Sequence, residues 1–212
     1  MGSDLRGDVH VACVGDAMVL LDLAADSYLC LPNGAEDLIR GADGAPIFGA
    51  GVVGRALAEA GLLAEGPRPR VPPPPPRPTQ TVIHGRPSRA PSLLDWGAAL
   101  AATAEMRRIR SGAGVEAYLA GAADDGNDRT MDRVAEAART FWRLAPWLPI
   151  EGECLVRSAL LMRFLRRRGL RADWVFGVRL FPFMAHCWVQ ADDLCLNDDV
   201  ERLTAYSPIY CR

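Results

Sequence analysis

The chain has 212 residues, half of them hydrophobic, a mean hydropathy of +0.03 and a formal net charge of −2. That length supports one large domain or two small ones with a packed core, and the charge balance gives no electrostatic reason to bind nucleic acid. There is no lysine, which excludes a Walker A phosphate loop and Schiff-base chemistry.

The start, Met1-Gly2-Ser3-Asp4-Leu5-Arg6-Gly7-Asp8, is polar, and the long apolar runs are interrupted by charges. No secretory signal or membrane span is therefore expected, and a cytoplasmic protein with reduced cysteines is. Val9-His10-Val11-Ala12-Cys13, Met18 to Leu23 and Tyr28 to Leu31 are predicted strands, separated by Gly15-Asp16 and Ala25-Asp26-Ser27 turns. A short helix is expected from Asn33 to Arg40. A second spans Val52 to Leu63, with Val53, Leu57, Ala60 and Leu63 on one side and Gly66-Pro67 as its stop. A unit of about 65 residues buries little surface, so it should bind a partner or lean on the rest of the chain.

Val71-Pro72-Pro73-Pro74-Pro75-Pro76-Arg77-Pro78 marks the boundary. Consecutive prolines fix φ and lack amide donors, which favours a semi-rigid spacer. The expected division is residues 1–66, a linker over 67–80 and a second domain over 81–212.

Beyond the boundary, helices are expected over Leu93 to Arg110, Val115 to Leu119, Met131 to Leu144 and Cys154 to Arg168. The last has an apolar stripe through Leu155, Ala159, Met162 and Leu165, then Arg166-Arg167-Arg168-Gly169 as C-terminal cations and stop. Strands follow at Ala172 to Leu180, His186 to Gln190, Leu196 to Asp199 and Tyr206 to Tyr210. Helices first and strands last is an α+β layout.

Cys154 opens a helix, where unpaired N–H groups and the dipole favour thiolate and can hold an oxyanion. His186 opens a strand, and Asp198 lies on the next one. Thiol, imidazole and orienting carboxylate are the parts of an acyl-transfer site. Reading Ala191-Asp192-Asp193 as a three-residue turn places His186 opposite Asp198 and Trp188 opposite Leu196; a two-residue turn would bring Asp199 there instead. Taken singly, the three residues also fit a core thiol, an edge histidine and a turn aspartate. Cys187 alternates away from His186 and reads as packing. With no Cys-x-x-Cys pair, and only Cys187 and Cys195 near His186, neither a metal nor another cofactor is expected.

These residues resemble the B protein of lasso-peptide biosynthesis in its fused form. The peptidase half of the resemblance rests on Glu153 to Leu160, Ala185-His186-Cys187-Trp188-Val189, Leu196-Asn197-Asp198-Asp199 and Tyr206-Ser207-Pro208. The N-terminal half rests on Leu21-Asp22-Leu23 and Tyr28 to Pro32, which resemble a PqqD-like precursor-recognition domain. Gly41 to Gly49 is shorter than the fuller middle helix of the family.

The resemblance implies a three-stranded, winged-helix-like N-terminal domain and a transglutaminase/papain-like C-terminal domain. It implies a bacterial cysteine peptidase that cleaves the leader from a ribosomally made precursor, ahead of macrolactam formation by a separate ATP-using cyclase. Cys154 would attack, His186 relay protons and Asp198 orient the ring, with the Cys154 amide and Trp147 as candidate oxyanion donors. The leader would add to the third strand, at Tyr28, Leu29, Cys30 and Leu31, against the last helix at Val53 and Leu57. The expected partners are the precursor and the cyclase, with no nucleic acid and no membrane. Two alternatives use the same sequence features: acyl transfer to an amine, as in a transglutaminase or amidotransferase, and a non-catalytic protein that binds and delivers the precursor.

Overall fold

The computed structural model describes residues 3–41, 46–64, 73–109, 112–120, 128–149 and 151–212. After a two-residue strand, Ser3–Asp4 (β1), three strands form an antiparallel meander: Val9–Val14 (β2), Ala17–Asp22 (β3) and Ser27–Leu31 (β4). The first turn uses Gly15 at φ 60°, a left-handed conformation that suits glycine. β3 is buried on both faces. Met18 and Leu20 pack with Leu5, Val9, Phe48 and Leu57, while Val19 and Leu21 join the main core.

The expected helix from Asn33 to Arg40 is a single 3₁₀ turn, Gly34–Asp37, followed by a strand, Leu38–Arg40 (β5). This strand pairs with Pro46–Phe48 (β6), which also pairs with β1. One turn cannot offset helix nucleation, and the Leu38 and Phe48 pair gains more by facing each other across a ladder. The next helix, Val52–Glu59 (α1), ends earlier than Leu63. Gly61 at φ 68° closes it, with the Gly61 amide on the Ala58 carbonyl (3.0 Å) and the Leu62 amide on the Leu57 carbonyl (2.9 Å). Part of the glycine-rich stretch (42–45), the Gly66-Pro67 stop and the start of the proline run (65–72) lie outside the described residues.

From Pro76 onward the chain is tied to the second half. The Gln190 side chain donates to the Pro76 carbonyl at 3.0 Å, the Thr79 amide donates to Asp193 Oδ1 at 2.7 Å, and Gln80–Thr81 (β7) joins a sheet edge. Four helices follow: Leu93–Met106 (α2), Val115–Leu119 (α3), Met131–Leu144 (α4) and Cys154–Arg167 (α5). A reciprocal cap starts α2, with Ser92 Oγ accepting from the Asp95 amide and Asp95 Oδ2 accepting from the Ser92 amide at 2.8 Å. It ends before Arg110 because the Ile109 amide turns back to the Met106 carbonyl in a tighter 3₁₀ bond, at 3.0 Å. The arginines closing α5 dock on α2: Arg166 lies 3.2 Å from Glu105, and Arg168 lies 3.2 Å from Asp95. The far end of α5 is thereby anchored, which fixes where its first turn lies.

The remaining strands, Asp173–Arg179 (β8), Met184–Ala191 (β9), Leu194–Cys195 (β10) and Ser207–Cys211 (β11), build a five-stranded sheet in the order β11-β8-β9-β10-β7. A short helix, Val200–Leu203 (α6), precedes β11. One sheet face, with Cys187, Val189 and Ala191, packs on Ala159, Leu161 and Phe164 of α5. The other holds Val175, Trp188, Cys195, Leu203 and Tyr206.

The hairpin register differs from the expectation. Leu194 pairs with Ala191 and Cys195 with Gln190, so the turn has two residues, with Asp192 at φ 48°. The expected strand over Leu196 to Asp199 is not formed as one. Asn197 Oδ1 takes the Val189 amide at 2.7 Å, satisfying a donor that a continuing ladder would have used. Asp199 then caps α6 by accepting from the Glu201 amide at 3.2 Å, and the chain bends away.

The two halves share one core. Ala12, Val19, Leu21 and Leu23 belong to the same buried cluster as Phe176, Val178, Ile209 and Tyr210, and the His10 ring lies 4.3 Å from that of Tyr210. Leu21, 1% exposed, sits in that shared layer. Leu21→Ala should cost about 2–5 kcal/mol, and scanning calorimetry should show one transition for the whole chain, moved to lower temperature. Two transitions, with only one displaced, would show that the halves fold separately.

Candidate active site

The first turn of α5 is set by what precedes it. A side chain at Gly152 would place its Cβ 2.6 Å from that of Val156, so only glycine lets the chain approach at this angle. Glu153 is the extended N-cap residue and its side chain makes no cap bond, leaving first-turn amides open to another acceptor. The Cys154 sulfur is half-buried at this end, against the strand that carries His186 and Cys187.

His186 is 6% exposed, with its ring 5.1 Å from that of Tyr206 and 6.4 Å from that of Trp188. Its Nε2 bonds Asp198 Oδ2. The opposite Asp198 oxygen accepts from the Asp199 amide at 2.8 Å, and the Asp198 carbonyl accepts from Thr81 Oγ1 at 2.7 Å. Asp198 thus reaches the ring although the register would have set Asp199 opposite it. The bend after Cys195 brings it there, and Asp199 serves as a cap.

The charges follow from these contacts. The Cys154 thiol is held down to about 4, first by a hydrogen bond from the Cys187 thiol and then by His186, against the effect of burial. Burial would lower the His186 imidazole, but its bonds to Asp198 and Cys154 outweigh this and raise it to about 9. Burial likewise opposes Asp198, yet the His186 bond keeps its carboxyl below the usual range. Burial and the neighbouring Cys154 push the Cys187 thiol well up. At neutral pH the site holds a thiolate, an imidazolium and a carboxylate in sequence.

These groups face a cleft of about 690 Å³, also lined by Trp142, Arg157, Met184 and Arg202. The Trp142 indole N–H donates to the Leu196 carbonyl at 2.6 Å, and the Arg157 guanidinium lies 5.0 Å above its ring. Trp147, a candidate for the second oxyanion donor, does not line the cleft. It is 75% exposed in a 3₁₀ turn, Ala145–Trp147. Sequence reasoning missed Trp142, Ser158 and Asn197, which position the site through side-chain bonds that no periodicity reveals. Among the described residues, no group of three or more His, Cys, Asp and Glu side chains could hold a metal ion. Nor is any helix among them long and apolar enough to cross a membrane.

The other candidate residues divide. Among the described residues, β4 is paired on one side only, by β3. Leu29 is 40% exposed, Cys30 is exposed, and Leu31 and Val53 lie half-buried over the small N-terminal cluster. Leu57, at 0% exposure, is a core residue of that cluster and has no surface to offer a ligand, because it faces inward from α1 onto Met18 and Leu20. Tyr28 points the other way, onto the main core. Its ring packs edge-on against Phe183 at 5.4 Å, and its hydroxyl is pushed up by burial and by the nearby Cys187 and Cys154.

The carboxylate assignment is checked without a substrate. In Asp198→Asn the His186 titration, followed by NMR, should fall well below about 9 because the largest contact favouring the cation is gone. Asp199→Asn should leave it in place. The reverse ranking would make Asp199 the partner.

Residues 96–211, which contain Cys154, His186 and Asp198, match the transglutaminase-like superfamily. The chain is also similar to the microcin J25-processing protein McjB of Escherichia coli, 40% identical over 48 residues. That match covers 23% of this chain and 23% of McjB. No solved structure gave a significant match. Because the superfamily match spans more than half of the sequence, the chain belongs to the transglutaminase-like superfamily.

Proposed function

We propose that the protein is a cysteine peptidase that binds the leader of a ribosomally made, lasso-type precursor and cuts it from the core peptide. In this reading residues 1–66 form a PqqD-like, winged-helix-like recognition unit and residues 81–212 the peptidase. The partial similarity to a protein named for microcin J25 processing supports a precursor peptide as substrate. The observation that carries the reading is the packing of Tyr28 on Phe183. Phe183 precedes Met184, which lines the cleft, and β4 has a free edge among the described residues, so a peptide added along β4 would run toward the side of the cleft that holds Cys154.

The steps use the charges already described. The Cys154 thiolate attacks the carbonyl at the leader–core junction, and first-turn amides of α5 receive the oxyanion. The His186 imidazolium gives its proton to the departing amine, releasing the core peptide and leaving the leader as a thioester on Cys154. His186, now neutral, takes a proton from water; the hydroxide attacks the thioester, and the thiolate is regenerated. Asp198 holds the ring throughout. The freed core amine is the group that a separate ATP-using cyclase would then join to a side-chain carboxyl.

The nucleophile needs its thiolate and the leaving amine needs the imidazolium. Cleavage should therefore fall below about 4, where the thiolate is protonated, and above about 9, where the imidazolium loses its proton. Cys154→Ala should abolish cleavage, read by mass spectrometry of precursor with the full chain, while leader binding by fluorescence polarisation persists. Leu29→Asp, at an exposed site, should weaken leader binding and leave the thiolate intact. Undiminished cleavage by Cys154→Ala would overturn the assignment. A leader product bearing an amide to an added amine, with no free acid, would favour acyl transfer instead.

A further inference from the structure

The wall of the cleft carries a cation that the proposed chemistry does not use. Arg157 lies three residues beyond Cys154 on α5, so both side chains leave the same side of the helix, and both line the cleft. The Arg157 guanidinium sits 5.0 Å above the Trp142 ring. That ring is itself fixed, because its N–H donates at 2.6 Å to the carbonyl of Leu196, on the segment that leads to Asp198. Among the described residues no carboxylate pairs with Arg157. Glu153, one turn earlier and also at the cleft, is not joined to it. Arg202 differs, since its guanidinium lies 4.0 Å from Asp198 Oδ1.

Resting on the peptidase reading, we propose that Arg157 is a specificity-determining residue, which takes the side-chain carboxylate of an aspartate or glutamate close to the bond being cut. A guanidinium stacked on an indole is held by its face, while its N–H donors point outward in its own plane. The stack therefore orients the group without consuming the fork, and two donors can meet both oxygens of one carboxylate. Three residues of helix rise about 4.5 Å and an extended peptide advances about 3.3 Å per residue, so the carboxylate belongs about one to three residues from the scissile carbonyl. A thiolate repels an anion that arrives nearby, and a cation placed to receive that anion offsets the repulsion. In an unmodified peptide the side-chain anions are those of aspartate and glutamate. The substrate class is thereby narrowed to a precursor with an acidic residue flanking the junction.

The test compares alkylation of Cys154 in the full chain by N-iodoacetyl-glutamic acid α-amide and by N-iodoacetyl-glutamine amide, read by mass spectrometry of the peptide containing Cys154. The two reagents differ only in carrying a carboxylate or its uncharged amide, and a second pair has a glycine inserted to lengthen the reach. In Arg157→Gln the acid-over-amide rate ratio should fall about tenfold in at least one pair, the worth of a hydrogen bond to a charged group. Arg157→Lys keeps a point charge without the fork, so its ratio should fall part of the way. Arg157 is exposed, and circular dichroism melts check that both variants fold. A ratio unchanged in Arg157→Gln for both pairs would overturn the role of Arg157 alone. So would an equal fall in Arg202→Gln, which would make the preference a diffuse field of the cleft. No labelling of Cys154 by any of these reagents at neutral pH in the wild type would overturn the nucleophile reading with it.

Discussion

Holding a thiolate half out of water is unfavourable unless fixed donors replace the lost solvation. At Cys154 these donors lie on β9: the Cys187 thiol, the His186 cation and the Cys187 backbone amide. They converge because α5 is docked at both ends, by Glu105 and Asp95 on its closing arginines and by the β9 face beneath its first two turns. Asn197 and the Thr81 bond to the Asp198 carbonyl hold the third member from the opposite side. α5, β9 and the segment through Asn197 and Asp198 are thereby held so that opposite charges meet at one helix terminus.

Much of the fold is legible in the sequence. Alternation and turn residues mark β2, β3 and β4, and apolar stripes with start and stop signals mark α3, α4 and α5 to within a residue. What is illegible is non-local or short. β5 and β6 have three residues each, too few for any period, and β6 is also held by β1 from near the N-terminus. The hairpin turn depended on Asp192 adopting a left-handed conformation, which aspartate tolerates but does not announce.

The site shows the same division. That Cys154, His186 and Asp198 would meet follows from a helix start, a strand start and the next segment. The route to Asp198 was different: the strand breaks at Cys195, and the Asn197 side chain stands in for the missing ladder bond. Cys187 shows the limit of alternation. It does point away from His186, but away from His186 is toward α5, where the Cys154 sulfur lies. The edge strand was readable as a segment, while the inward turn of Leu57 depends on a cluster assembled from Leu5, Met18 and Phe48.

The proposed peptidase stands or falls on acylation of Cys154 by a peptide carbonyl. Rapid quenching of the full chain with its precursor in acid, followed by mass spectrometry, tests it directly. Such a peptidase should show a transient adduct on the Cys154 peptide with the mass of the leader acyl group, appearing with release of the core peptide. Cleavage without any adduct, or with the adduct on another residue, would contradict it.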